Sequence, residues 1–592
     1  MSSHPTDRIR SQLHRVLTSP AFVNAERMRR FLEFVVEHAL SSPNEPLKEM
    51  TVGMELYAGQ AEFDPRTTAV VRVDATRLRT KLREYYGSEG ARDALVIDLP
   101  KGGYSPVFRE ASNQHAAPNP VSTAVAEPSV VVLPFSNLSP DPEAYFSDGL
   151  TEEIIHALSS IRRIRVVART SAFALKHSNA DVREIGRLLN VDFVLEGSVR
   201  KSGDNLRVTA QLASTSDGYQ LWSRRYERKV EDLFAVQDEI ALAIADMLRG
   251  DIPKEPRGLS GSHVNEFEAY EWYLRGRYHL NRQTREEFHS AIGCFEKASA
   301  RSPGYTQAFS GMAVAWLYLG MFAMDAPLET IPKAQKAAAR ALEMNQCEGD
   351  ALSALACTKA MFDWNWSEAE VLFRRSLQAQ PRSDLPEHLF ALFVLLPLAR
   401  IEEALNILDA ARRIDPLSLF VAATRGAVLI MARRRGEAEV EYRRALELDP
   451  SFWRALVGMG RCHESRGDYE KAIACFERAT SVSDNVPTAI GALGRAYALA
   501  GRTADARKLL DKLEALAQHR YVSPYGRVLI QLGLQDDQVF DSLEQSCNER
   551  AGWLMYVATD PRFDPLRQDK RFQSLLERLH LPHIAYATDA SA

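Results

Sequence analysis

A 34-residue period in the second half of the chain limits its fold more than any other feature. Ala369, Ala404, Ala438, Ala472 and Ala506 follow one another at spacings of 35, 34, 34 and 34. Pro381, Pro416 and Pro450 each stand twelve residues after the first three. Ala291 and Pro303 keep the same offset, and Ala334 marks a divergent unit between. Ala291-Phe295-Ala298, Ala438-Tyr442-Ala445 and Ala472-Phe476-Ala479 share a small-large-small pattern, and Gly426, Gly460 and Gly494 recur one helix earlier. A small residue lets two helices approach closely, the aromatic fills the gap beside it, and proline ends the second helix. The period predicts seven two-helix units over 269–518, followed by further helices. A single pair cannot bury its apolar face alone, so stacked neighbours form a superhelix with a concave groove.

This pattern resembles the tetratricopeptide repeat. The resemblance implies a protein or peptide partner in the groove, where catalysis would be unusual. At roughly 100–200 residues per domain, 592 residues leave room for several further modules. A hydrophobic share of 45% and a charged share of 26% are those of a globular protein. A net charge of −5 does not mark the whole chain as a nucleic-acid binder, so any such role must sit in one local patch. Six scattered cysteines without a C-x-x-C pair predict neither a disulfide framework nor a zinc or redox site. No stretch approaches the ~18 apolar residues of a membrane helix, and the start lacks the apolar run of a signal peptide. The expected compartment is the cytoplasm.

Small, polar, proline-bearing stretches at 111–128 and 250–265 read as linkers. They divide the chain into residues 1–110, residues 129–249, the repeats and following helices at 266–582, and a tail at 583–592. The expected architecture is multidomain: a helical domain ending in a hairpin, an α/β domain with a mixed sheet, and an α-helical superhelix.

In the first region, 7–19 and 26–41 read as amphipathic helices, the second burying Met28, Phe31, Leu32, Val35, Val36 and Leu40. Residues 46–57 suit a shorter helix. In 67–86, Val71, Ala75, Leu78 and Leu82 form an apolar stripe. Arg72, Thr76, Arg79 and Arg83 take the neighbouring face, with Arg77 and Lys81 farther round. Residues 66–83 hold six basic residues and one acidic, whereas 1–110 as a whole holds 16 and 15. Positive charge concentrated on one helix is what a duplex backbone rewards. A strand, a Pro-Lys-Gly-Gly tip and a second strand follow over 94–108.

RLRTKL (77–82) followed by PKGGY (100–104) resembles the OmpR/PhoB-type winged helix, particularly its ToxR-like branch, over about residues 26–108. The Val73-Asp74 pair stands two residues closer to Arg77 than in the family pattern. The resemblance implies double-stranded DNA as partner, with Arg77 at a base edge and Arg79 and Lys101 on phosphates. Arg72 and Arg83 join them from the helical face, with Thr76 and Lys81 beside them.

The middle region reads as strand 129–135, helix 148–161, strand 164–169, helix 181–190, three alternating strands over 191–228 and a closing helix at 231–249. VVVLPFSNLSPDPEAYFSDGLTEEI, LEGSVRKSGDNLRVTAQL and LWSRRYER together resemble the TolB amino-terminal-like domain. Asp141, Asp148, Glu152 and Glu153 lie close in sequence and could hold a metal, but acids at a helix start more often serve the helix dipole.

No Gly-Lys dipeptide, H-E-x-x-H or G-x-S-x-G occurs. Gly458-Met459-Gly460 falls inside a repeat helix and reads as packing, as do Cys462-His463, Trp364 and Trp366. No catalytic residues, cofactor or metal are expected, and no enzyme. The leading expectation is a DNA-binding transcriptional regulator, self-associating to pair half-sites, with a groove for a protein partner. The alternatives are a signalling scaffold that does not bind DNA, or a protein associated with an adenylate cyclase but without a catalytic domain of its own.

Overall fold

The computed structural model describes residues 6–110, 127–249 and 263–584, apart from 24, 43–46, 58–69, 88, 91–92, 101–102, 140–144, 162–163, 177, 179, 204, 230–232, 380–383 and 484. The linker readings at 111–126 and 250–262 and the tail from 585 lie outside the described residues. The chain divides into two compact units, Met1–Thr123 and Ala124–Ala592.

The first unit runs α1 (Thr6–Thr18), α2 (Pro20–Val23), α3 (Glu26–Ser41), α4 (Glu49–Tyr57), α5 (Val70–Gly87), β1 (Leu95–Asp98) and β2 (Val107–Glu110). The strands pair antiparallel, Leu95 opposite Glu110 and Asp98 opposite Val107. One core joins Ile9, Leu13 and Val16 of α1, the predicted α3 face apart from the partly buried Leu40, and Val71, Ala75, Leu78 and Leu82 of α5. Polar groups fix the register of these parts. The Gln12 amide donates to Asp93 at 2.5 Å, Tyr85 donates to the same carboxylate at 2.7 Å, and the Ile97 N–H donates to Tyr86 at 2.9 Å.

The second unit opens with an α/β layer: β3 (Ser129–Val132), β4 (Ser136–Asn137), α6 (Tyr145–Ser160), β5 (Arg165–Val166), α7 (Arg169–Ala174), α8 (Val182–Leu189), β6 (Phe193–Ser202), β7 (Asn205–Ser214), β8 (Gln220–Lys229) and α9 (Leu233–Arg249). The sheet order is β5-β3-β6-β7-β8, with β4 also on β6. β3 pairs parallel with β5 and β6, and β6, β7 and β8 pair antiparallel, so the sheet is mixed. The predicted turns contain Gly203 and Gly218, both at positive φ. β4 and α7 have no counterpart in the sequence reading, being too short to leave a period.

Seven helix pairs follow: α10 (His263–Leu280) with α11 (Arg285–Arg301), α12 (Thr306–Met321) with α13 (Pro327–Met344), α14 (Gly349–Met361) with α15 (Trp366–Ala379), and α16 (Asp384–Phe390) with α17 (Ile401–Ile414). The rest are α18 (Leu419–Met431) with α19 (Arg435–Leu448), α20 (Trp453–Glu464) with α21 (Tyr469–Val482), and α22 (Pro487–Leu499) with α23 (Thr503–Ala517). Each second helix carries one marker alanine, from Ala291 to Ala506, and all seven are fully buried. A Cβ added at Gly460 would lie 2.5 Å from the Phe476 ring, so close helix approach requires glycine there.

The spacing of 35 between Ala369 and Ala404 runs through the fourth unit. Its first helix continues into a π-helical turn, Ala391–Leu395, closed by Leu396 N–H to Ala391 O at 2.9 Å. A π turn takes up one extra residue without shifting the flanking helices. The chain ends with α24 (Tyr525–Leu534), α25 (Val539–Asn548), two 3₁₀ turns (Gly552–Tyr556, Pro561–Leu566) and α26 (Lys570–Arg578). Among the described residues no helix is long and apolar enough to cross a membrane.

Candidate functional site

The basic residues of α5 have divergent surroundings. Arg77 is exposed, its side chain 66% accessible, and reaches Asp74 at 3.8 Å. Asp74 is itself buried and held by Arg27 of α3 at 2.5 Å, so it clamps the two helices together. Arg79, expected on a phosphate, is turned to the hairpin instead. Its guanidinium donates to the carbonyls of Leu99 at 2.9 Å, Pro100 at 3.1 Å and Gly103 at 2.8 Å. Burial pulls its pKa below the ordinary arginine value. Lys81 leans over the Phe22 ring at 5.8 Å. For Arg72, Thr76 and Arg83 the structure describes the helix that carries them and not their side chains, and Lys101 lies outside the described residues.

In the second unit, the concave side of the repeats holds a cavity of about 910 Å³. First helices of successive pairs supply most of its wall, including Tyr318, Leu389, Phe393, Phe420 and Val457. The α/β layer closes one side with α6 and α7, and the 3₁₀ turn Gly552–Tyr556 closes another with Trp553 and Tyr556. Its volume is that of a site for a drug-sized ligand.

Ion pairs hold the first wall. Glu152 of α6 meets Arg169 at 2.5 Å and Arg277 of α10 at 3.1 Å, and Arg277 also reaches Asp350 of α14 at 3.7 Å. Burial opposes ionisation of Glu152, but the two arginines outweigh it and hold its pKa below the ordinary value. Thr170 and Ser171 of α7 donate to Asp415, between α17 and α18, and the Leu417 N–H donates to Ser171 at 2.8 Å. Asp148 is paired with Lys176 at 2.6 Å. Asp148 and Glu152 of the acidic cluster are thus engaged by cations of the chain itself, and Asp141 lies outside the described residues.

The second wall is latched by Asp560. Fully buried, it pairs with Arg461 of α20 at 3.0 Å and Arg562 at 2.6 Å. Burial disfavours its charge, but these arginines hold the carboxyl well below the usual range. Arg433 adds a pair with Asp564 at 2.7 Å. Trp364 and Trp366 are buried in the repeat core and also receive the C-terminal segment: Trp366 Nε1 donates to Leu579 O at 3.0 Å, and Arg550 stacks over Trp364 at 3.7 Å. Cys462 is buried in the repeat core with its thiol pushed up to about 11 by burial.

Arg454 of α20 stands apart. Its guanidinium lies 4.4 Å from the Phe322 ring centre, 4.5 Å from Trp453 and 5.5 Å from Phe420. It makes no hydrogen bond or ion pair among the described residues, and burial pulls its pKa down to about 10. No sequence motif marks it. The available signal was periodicity: Arg454 stands 34 residues after Phe420, so both take the same place on adjacent units.

The chain carries tetratricopeptide repeats: the family model described as "Tetratricopeptide repeat" matches residues 429–487 and 466–523. The protein named "Putative adenylate cyclase 3" of Rhizobium meliloti (strain 1021) is 42% identical over 177 residues, 29% of this chain and 30% of that protein. "Superkiller protein 3" of Schizosaccharomyces pombe is 26% identical over 227 residues, 37% of this chain and 16% of that protein. The chain therefore spans less than a third of either curated relative. A solved human IFIT1 dimer with m7Gppp-AAAA is 15% identical, covers 59% of this chain and 81% of its own, and superposes with a TM-score of 0.38.

Proposed function

We propose that the protein is a non-enzymatic signalling scaffold: its repeats recruit a protein or peptide partner, and the walled cavity makes that recruitment responsive to what occupies it. One observation carries the reading. The cavity is lined by the repeats, by the α/β layer and by the C-terminal segment together, so an occupant touches all three. In this reading the α/β layer is a TolB-like module. The likeness to "Putative adenylate cyclase 3" favours a cyclase as the kind of signalling protein such a scaffold serves. Filling the cavity tests it. In the tagged full chain, Ala427→Trp places an indole in the cavity, whereas Val440→Trp sits on an exposed face of α19. The expected result is a partner set changed by Ala427→Trp and unchanged by Val440→Trp. Identical partner sets in Ala427→Trp and the parent protein would refute the reading.

A second reading makes the first unit a winged helix on double-stranded DNA in the cytoplasm. It is favoured by the exposed Arg77 beside a hairpin that Arg79 fixes to the same helix. Full-length protein should then bind random duplexes with an affinity that falls steeply with salt, and Arg77→Glu should weaken binding at every salt concentration. Binding indifferent to salt and to Arg77→Glu leaves the scaffold alone.

A further inference from the structure

A guanidinium in an apolar cavity is normally matched by a carboxylate, because an unpaired buried charge is costly. Two arginines at the edge of this cavity obey the rule, Arg277 with Glu152 and Arg461 with Asp560. Arg454 does not. Three ring faces support it, and cation–π attraction offsets part of its desolvation. Half-buried, it lines the cavity, where its hydrogen-bond donors meet no acceptor among the described residues.

We propose that Arg454 is the anion-recognising residue of an effector site for a small organic anion, a carboxylate or phosphomonoester carried on an apolar body. This rests on the cavity being the binding site described above. The anionic group takes a forked pair of hydrogen bonds from the guanidinium, and the body lies among Leu389, Phe393 and Val457. A small molecule fits better than an extended peptide. Each peptide residue brings an N–H and a C=O that need partners, and the wall around Arg454 is largely hydrocarbon and ring.

The test is a fluorescence titration of the full chain with anilinonaphthalene sulfonate, against its uncharged analogue phenylnaphthylamine. The parent protein should bind the anion at one site, at least about tenfold more tightly than the neutral analogue, a ratio worth about 1.4 kcal/mol. Arg454→Met should remove that preference and Arg454→Lys should keep most of it. Competition by naphthoate and by naphthyl phosphate then separates carboxylate from phosphate. Equal affinity for charged and neutral probes in the parent protein overturns the proposal without any variant. Displacement at lower concentration by a short acidic aromatic peptide than by either naphthyl compound also overturns it, handing the site to a polypeptide. If anion binding fails while Ala427→Trp still changes the partner set, the anion site falls and the scaffold stands.

Discussion

Arg77 and Arg79 are two positions apart on α5, a step of about 200° around a helix. One faces solvent, and the other holds three hairpin carbonyls. Arg79→Met should therefore loosen the hairpin, with amides of Leu95–Asp98 exchanging at least about tenfold faster, since hydrogen bonds from a charged donor contribute about 1.5–3 kcal/mol each. Arg77→Met should leave the same amides unchanged in hydrogen exchange. The sequence placed both on a basic helix, but it could not assign them separate tasks. That depends on where a loop twenty residues away returns, and no local pattern records it. Arg454 is similar: its repeat position is legible, while the three rings around it come from three helix pairs.

Every repeat turns between its helices on a residue in the left-handed region. Trp364, Ala399, Arg433, Gly467 and Gly501 take this place at spacings of 35, 34, 34 and 34, each with φ between 54° and 79°. Glycine adopts that conformation without strain, and a residue with a Cβ costs about 1–2 kcal/mol there. Gly467→Ala should lower the urea midpoint by a destabilisation of about 1 kcal/mol, and Ala399→Gly should shift it the other way. The helix pairs were readable because each repeats its marker residues. The latch of the C-terminal segment was not, because Asp560 and Arg461 are 99 residues apart and occur once. Asp560→Asn leaves buried arginines unmatched and should cost about 3–5 kcal/mol. The pH dependence has a definite sign. Asp560 is held below its unfolded value of about 3.9, so its contribution is complete above that pH and declines as pH falls below it. Urea unfolding of parent and Asp560→Asn should differ at neutral pH and converge in acid.

For the whole molecule, the decisive contacts join segments far apart in sequence, such as Thr170 with Asp415 across 245 positions. They set the α/β layer against the repeats and convert an open groove into a walled cavity. The repeat period foretold the groove, and the succession of strands and helices over 129–249 foretold a mixed sheet, but only packing shows that one closes the other. Native mass spectrometry of the full chain, purified from its own cells, shows whether the walled cavity holds an occupant. A discrete low-mass adduct is expected on the parent protein and not on Ala427→Trp. The same unliganded mass for both, or the same adduct on both, would contradict that expectation.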